Sequence, residues 1–293
     1  VKVAVLPPAR AGVSADAAWI TAYARHAEAC GFESIVLVEH PLVVSGTSSR
    51  YPYAESGRMP LPDDCPIPDP LDVLAFVAAS TTTIGLATGV LVLPAHHPVV
   101  LAKRLATLDV LSGGRVRLCA GLGWMREELE ACGTDFTTRG RRADEMIDVM
   151  RLLWADSGPE GVSFSGEFFS FTRAHSYPKP PRPGGVPIHI GGHSPASLRR
   201  AARRGNGWQP LGIAPGELGG AIVELRRTAE AAGRDPAALE VTVSGLAPAV
   251  TADTVADMAA SGVDRVVATS TVRDLDAACD ELSALAERVQ GAS

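Results

Sequence analysis

Short apolar runs alternate with stretches of helical periodicity along the whole chain. Residues 3–6, 35–38, 84–93, 116–120, 186–190, 207–211, 241–246 and 266–268 read as strands. Most are apolar at consecutive positions, the pattern of parallel strands covered on both faces. Between them the apolar positions fall three and four residues apart. Leu101, Leu105 and Leu108 show this after Pro98, and Leu275, Ala278, Leu282, Leu285 and Val289 show it near the end. Punctuation agrees with the pattern. Ser14 is a candidate cap for a helix from about residue 16, Gly31 a candidate left-handed stop, and Ser194-Pro195 a cap followed by a first-turn proline. After the acidic segment at Glu127 one long helix is expected, burying Met146, Ile147, Met150, Leu153 and Trp154. Eight strands each followed by a helix predict an α/β fold, a (β/α)8 TIM barrel, rather than an open sheet.

Two stretches interrupt the rhythm. Residues 42–70 are rich in Pro, Ser, Gly and Asp and carry Tyr51 and Tyr53, so a loop over the barrel mouth is expected. Residues 156–185 hold a small hairpin around 164–168 and a proline-rich extended connector. No composition shift separates a second domain, so residues 1–293 read as one barrel domain with these insertions.

A net charge of −6, with no basic tract, disfavours a nucleic-acid partner. The densest cationic cluster, Arg199, Arg200, Arg203 and Arg204, reads as a solvated helix face. No run of some 18 apolar residues predicts a membrane span. Five cysteines without a CxxC pair fit unpaired thiols in a reducing cytoplasm better than disulfides or zinc.

Candidate chemistry collects at the carboxyl ends of the expected strands, where a β/α barrel places its site. Gly191-Gly192-His193-Ser194 precedes a helix, an arrangement that suits a phosphate through close backbone approach and free N–H groups; it also reads as a tight turn with an ordinary cap. Gly121-Leu122-Gly123 lacks the third glycine of a dinucleotide fingerprint, since Arg126 stands there. It can still form a turn beside a planar ring, with Trp124 as a wall or as packing. His40, after Glu39 at the end of the second strand, has the side-chain chemistry to move a proton near neutrality. His96-His97 lacks an accompanying carboxylate cluster, so no metal site is expected. No Gly-x-Ser-x-Gly elbow appears.

These residues, together with Arg50-Tyr51-Pro52-Tyr53, Thr88-Gly89-Val90 through Pro94, residues 108–115, Arg139-Gly140-Arg141-Arg142, Pro178-Lys179-Pro180 and Gly205-Asn206-Gly207-Trp208, resemble the luciferase-like monooxygenase superfamily. The likeness is greatest to its coenzyme F420-dependent oxidoreductases and extends over essentially the whole chain. The resemblance implies a homodimeric barrel that transfers a hydride between F420 and a small organic substrate. The alternative within the superfamily is FMN with dioxygen, a monooxygenase; outside it, a non-catalytic ligand-binding barrel. The resemblance further implies a cis peptide at Gly89–Val90, with Thr88, Gly89, Val90, Gly121, Gly123 and Trp124 around the ring and Gly191, Gly192, His193 and Ser194 at the phosphate. His40, with Glu39, would serve the reacting face, and Tyr51 and Tyr53 the substrate loop. Glu39 stands where an aspartate is usual. Trp124 stands where some sugar-phosphate dehydrogenases of this type carry a glutamate acid, so neither that role nor that substrate is carried over.

Overall fold

The computed structural model describes residues 1–290; the last three positions of the expected 1–293 domain lie outside the described residues. Eight parallel strands close on themselves: β1 (Lys2–Leu6), β2 (Ser34–Leu37), β3 (Gly85–Thr88), β5 (Val116–Gly121), β8 (Ile188–Gly191), β9 (Gly207–Gln209), β10 (Glu240–Leu246) and β11 (Arg265–Thr269). Val5 pairs with Ile35 and Ala120 with Ile190, and β11 returns to β1 with Val266 opposite Val3. Closure is made where β3 meets β5, with Leu86 opposite Val116. The expected third strand, 84–93, is not continuous. It breaks at a cis peptide between Gly89 and Val90, and its remainder, β4 (Leu91–Val92), pairs with the end of β5.

The helices α1 (Ala17–Ala29), α2 (Pro70–Ala78), α3 (Pro98–Leu111), α4 (Arg126–Ala131), α5 (Arg139–Trp154), α6 (Pro195–Arg204), α7 (Pro215–Ala231), α8 (Ala252–Ala260) and α9 (Leu275–Gln290) follow the strands. The insertion after α5 carries the antiparallel hairpin β6 (Val162–Ser165) and β7 (Ser170–Ala174). Three local expectations change. Asp16, not Ser14, caps α1, accepting from the N–H groups of Ala18 and Trp19. The single long helix after Glu127 is two, because the chain leaves α4 through Gly133 in the left-handed region (φ +79°) and the hydroxyl of Thr134 donates to the Pro94 carbonyl at 2.6 Å. The arginines of α6 divide: Arg200 and Arg204 clamp Asp144 and Asp148 of α5, while Arg199 and Arg203 face outward.

The main core lies between barrel and helices, with Leu74, Leu101, Leu105, Met146, Ile147 and Leu225 among its fully buried members. Burial of each such side chain stabilises the fold by about 1.5–3 kcal/mol. The barrel interior is different. A thin apolar layer of small side chains, Ala4, Val36, Ala87 and Val267, lies in its middle with Leu6 packed against it. Below it, at the amino ends of the strands, Arg265 donates to Glu33 at 2.8 and 2.9 Å and to Glu240 at 3.0 Å, and Arg117 reaches Glu33 at 2.9 Å. Burial works to raise the Glu33 carboxyl, but Arg117 and Arg265 outweigh it and hold the group at about 2. The floor is thus a charge network, the middle is small and apolar, and the mouth is left to glycine-rich strand ends.

Candidate active site

The mouth is organised around Val90. A Cβ built on Gly121 would lie 2.5 Å from one Val90 methyl, and one on Gly191 would lie 2.6 Å from the other. Both glycines therefore exist to seat this side chain, whatever their backbone angles. A Cβ on Gly89 would lie 2.3 Å from a Val36 methyl, so the mouth rests directly on the apolar layer beneath. Thr88 secures the seam: its hydroxyl donates to the Cys119 carbonyl and accepts from the Cys119 N–H, each at 2.9 Å. Its side chain braces β3 against β5.

Glu39 and His40, adjacent in sequence, point into different surroundings. The Glu39 carboxylate is buried and accepts from the Val92 N–H at 2.6 Å and from His96 Nε2 at 2.9 Å. It fixes the backbone after the break in the third strand. His97, beside His96, instead packs edge-on against Phe169, so the pair does not converge. His40 turns toward α4, its Nδ1 3.1 Å from Glu128 Oε1. A carboxylate oxygen only accepts, so Nδ1 carries the proton and Nε2 is the free ring nitrogen. Glu128 is fully buried, and its other oxygen has no partner among the described residues. No sequence signal singled it out, because its partner lies 88 residues away.

Four edge-to-face contacts carry the mouth from one side to the other. His40 meets Trp124 with centroids 6.2 Å apart, Trp124 meets Tyr51 at 5.2 Å, Tyr51 meets Tyr53 at 5.3 Å, and Tyr53 meets His193 at 6.0 Å. Trp124 is thus a wall between the histidine and the loop. Burial raises the phenol pKa of both tyrosines, which keeps them neutral hydrogen-bonding groups at physiological pH. The loop itself is tied down by α4. Glu127 accepts from the N–H and hydroxyl of Ser48, both at 2.9 Å, and from the Ser49 hydroxyl at 2.7 Å, and these hydroxyls hold its carboxyl below the usual range.

At the far end Gly192 adopts φ +98°, a conformation suited to glycine. Its N–H donates to the Gln209 carbonyl at 3.0 Å, and its carbonyl accepts from Trp208 Nε1 and the Ser197 hydroxyl, both at 2.8 Å. Ser194 caps α6, accepting from the Ser197 N–H. His193 donates from Nδ1 to the Leu211 carbonyl and is exposed. Gly123, at φ +76°, lets the turn before Trp124 pass over Val92 and Leu129. Gln209, whose amide nitrogen lies 3.7 Å from a Cβ built on Gly89, joins the mouth without having been anticipated. The fold therefore gathers every expected site residue at one end of the barrel, with Thr88 and Glu39 facing protein and His40, Trp124, Tyr51, Tyr53 and His193 forming a continuous surface.

The family model for luciferase-like monooxygenases matches residues 3–284. The chain belongs to that family. Family relatives include an uncharacterised protein of Mycobacterium tuberculosis, 35% identical over 211 residues that cover 72% of this chain and 71% of the other. An F420-dependent hydroxymycolic acid dehydrogenase of the same organism is 33% identical over 214 residues, 71% of this chain and 57% of that one. Among solved structures, the monooxygenase RslO1 from Streptomyces bottropensis superposes with a TM-score of 0.78 at 21% identity, covering 99% of both chains. An F420-dependent secondary alcohol dehydrogenase with an F420–acetone adduct gives 0.79 at 17% identity, covering 100% of this chain and 99% of the other. At those identities the two structures establish the shared barrel.

Proposed function

We propose that this family member is an F420-dependent oxidoreductase acting on a small organic substrate, with His40 as its proton-handling group. The observation that carries the reading is the pairing of His40 with buried Glu128 at the rim of a mouth seated on Val90. The dehydrogenase relative at 33% identity supports the choice of F420. Membership of a monooxygenase family and the RslO1 likeness support FMN with dioxygen as the second reading.

The residues present fit a planar ring with a phosphate-bearing side chain. Val90, between Gly121 and Gly191, offers an apolar floor for the ring, and Trp124 a wall. Gly191, Gly192, His193 and Ser194, at the amino end of α6, suit the phosphate. When bound, the deazaflavin supplies a two-electron hydride acceptor or donor. His40 Nε2 then takes or gives the proton of a substrate hydroxyl, while Glu128 fixes the tautomer that leaves Nε2 available. Glu39 acts through the backbone it holds. Tyr51 and Tyr53 close the loop over the mouth and exclude water. The apolar and aromatic lining favours a substrate with hydrophobic bulk.

We also propose that the enzyme works as a homodimer. Phe76 of α2 and Val100 and Leu111 of α3 are 51%, 58% and 76% exposed on neighbouring helices, an apolar surface that a second copy would cover.

Fluorescence titration of the purified protein with F420 and, separately, with FMN tests the assignment. Tight binding of F420, with turnover of a secondary alcohol or its ketone, is expected. Tight FMN binding with oxygen consumption would replace it by the monooxygenase reading. Binding of neither would leave a non-catalytic barrel.

A further inference from the structure

A groove of about 680 Å³ lies beside the mouth, between α6 and α7. It begins at His193 and Pro195, where the phosphate is placed above, and continues along α6 past Arg199 and Arg203, with Arg227 and Glu224 on the opposite wall. The ten residues of α6 span about 15 Å, so the groove leads well beyond a phosphate held at the helix start.

Its charge is distinctive. Arg199 and Arg203 are four residues apart and therefore share one face, one helical turn from each other. Among the described residues neither makes an ion pair, whereas Arg200 and Arg204 of the same helix are committed to Asp144 and Asp148. Arg227 is held by Glu224 at 2.8 Å, which leaves the two α6 arginines as the groove's uncompensated charge. In a chain of net charge −6, two unpaired arginines lining one groove mark a place for an anion.

We propose that this groove binds the anionic tail of the cofactor, the run of carboxylates that continues past the phosphate in F420 and has no counterpart in FMN. The inference rests on the F420 assignment and deepens it. A ligand anchored at Gly191–Ser194 would carry its next carboxylates down α6, meeting Arg199 and then Arg203. The groove thereby contributes to selection of the deazaflavin over FMN, whose ring and phosphate fit the mouth equally well.

The test compares F420 bearing several glutamates with the same deazaflavin cut back to its phospholactate, using fluorescence titration of the wild type and of R199Q/R203Q. The wild type is expected to bind the tailed form roughly tenfold more tightly, the size appropriate to two solvent-screened charge pairs. That preference should shrink with added salt and disappear in R199Q/R203Q, which should melt at the wild-type temperature and bind the tail-less form as before. Equal affinity of the wild type for both forms would overturn the groove's role while leaving the F420 assignment standing. Binding of FMN alone would overturn both.

Discussion

Nδ1 of His40 lies 3.1 Å from a carboxylate oxygen of Glu128, a residue of helix α4 wholly removed from solvent. The contact makes the histidine a positioned group with one ring nitrogen committed and the other free.

Replacing His40 with alanine should lower kcat by about 10²–10⁴, the range of a general acid or base, with little change in cofactor affinity. E128Q keeps an acceptor near Nδ1 but removes its charge, so a smaller loss in kcat is expected, together with a displaced pH–rate profile. Steady-state kinetics across pH on both variants checks this. An E128Q profile that superimposes on the wild type would reduce Glu128 to packing.

The seat of Val90 makes a second prediction. G191A places a methyl 2.6 Å from a Val90 methyl and should destabilise the protein by about 1–3 kcal/mol while weakening cofactor binding. Trimming the partner should restore the room, so the double variant G191A/V90A should recover part of both. A double-mutant cycle in melting temperature and cofactor affinity measures the coupling. Additive effects would mean that the two residues do not share one space.

Acid should unfold the protein from the floor of the barrel. Burial, helped by Arg117, lowers the pKa of His189 to about 3, so between its ordinary value of 6.5 and 3 the unfolded chain binds a proton the folded chain refuses. Stability therefore starts to fall below about pH 6.5. Glu33 and Glu240, both held at about 2, add to the loss as pH drops below 4.5 toward 2. Melting temperature against pH should show this extended acid limb. E33Q should destabilise at neutral pH by about 3 kcal/mol, because Arg265 would lose a buried partner, and should flatten the lower part of the limb.

For the dimer, V100E/L111E places charge on the exposed apolar surface of α3. Light scattering should report a mass near twice 30.5 kDa for the wild type and a shift toward the monomer for the variant. A wild-type monomer would remove the proposed partner.

The barrel was legible because covered parallel strands must be apolar at consecutive positions, and residues 35–37 and 266–268 are. The break in the third strand was legible only through the family likeness at Gly89–Val90; hydrophobicity runs straight across it. The division after α4 was harder, since helical periodicity resumes at Arg139, and Gly133 alone marks the stop. Within the site, glycines, His40, Trp124 and His193 announced themselves as unusual residues at strand ends. Glu128 and Gln209 did not, because an acidic helix residue and a strand-end amide are ordinary until the fold brings them beside His40 and Gly89. The floor network escaped notice for the same reason. Arg117 and Arg265 sit within apolar strands, but Glu33, the carboxylate they share, lies 84 and 232 residues away.

Ala4, Val36, Ala87 and Val267 behave as shims. With Leu6 packed against them, they separate the charge network of the floor from a rim that bears on Val36 through Gly89. A methylene added at Val36 would press on Gly89 and so on the segment that carries Val90. The level of the Val90 seat is therefore tied to small side chains buried a layer below the mouth.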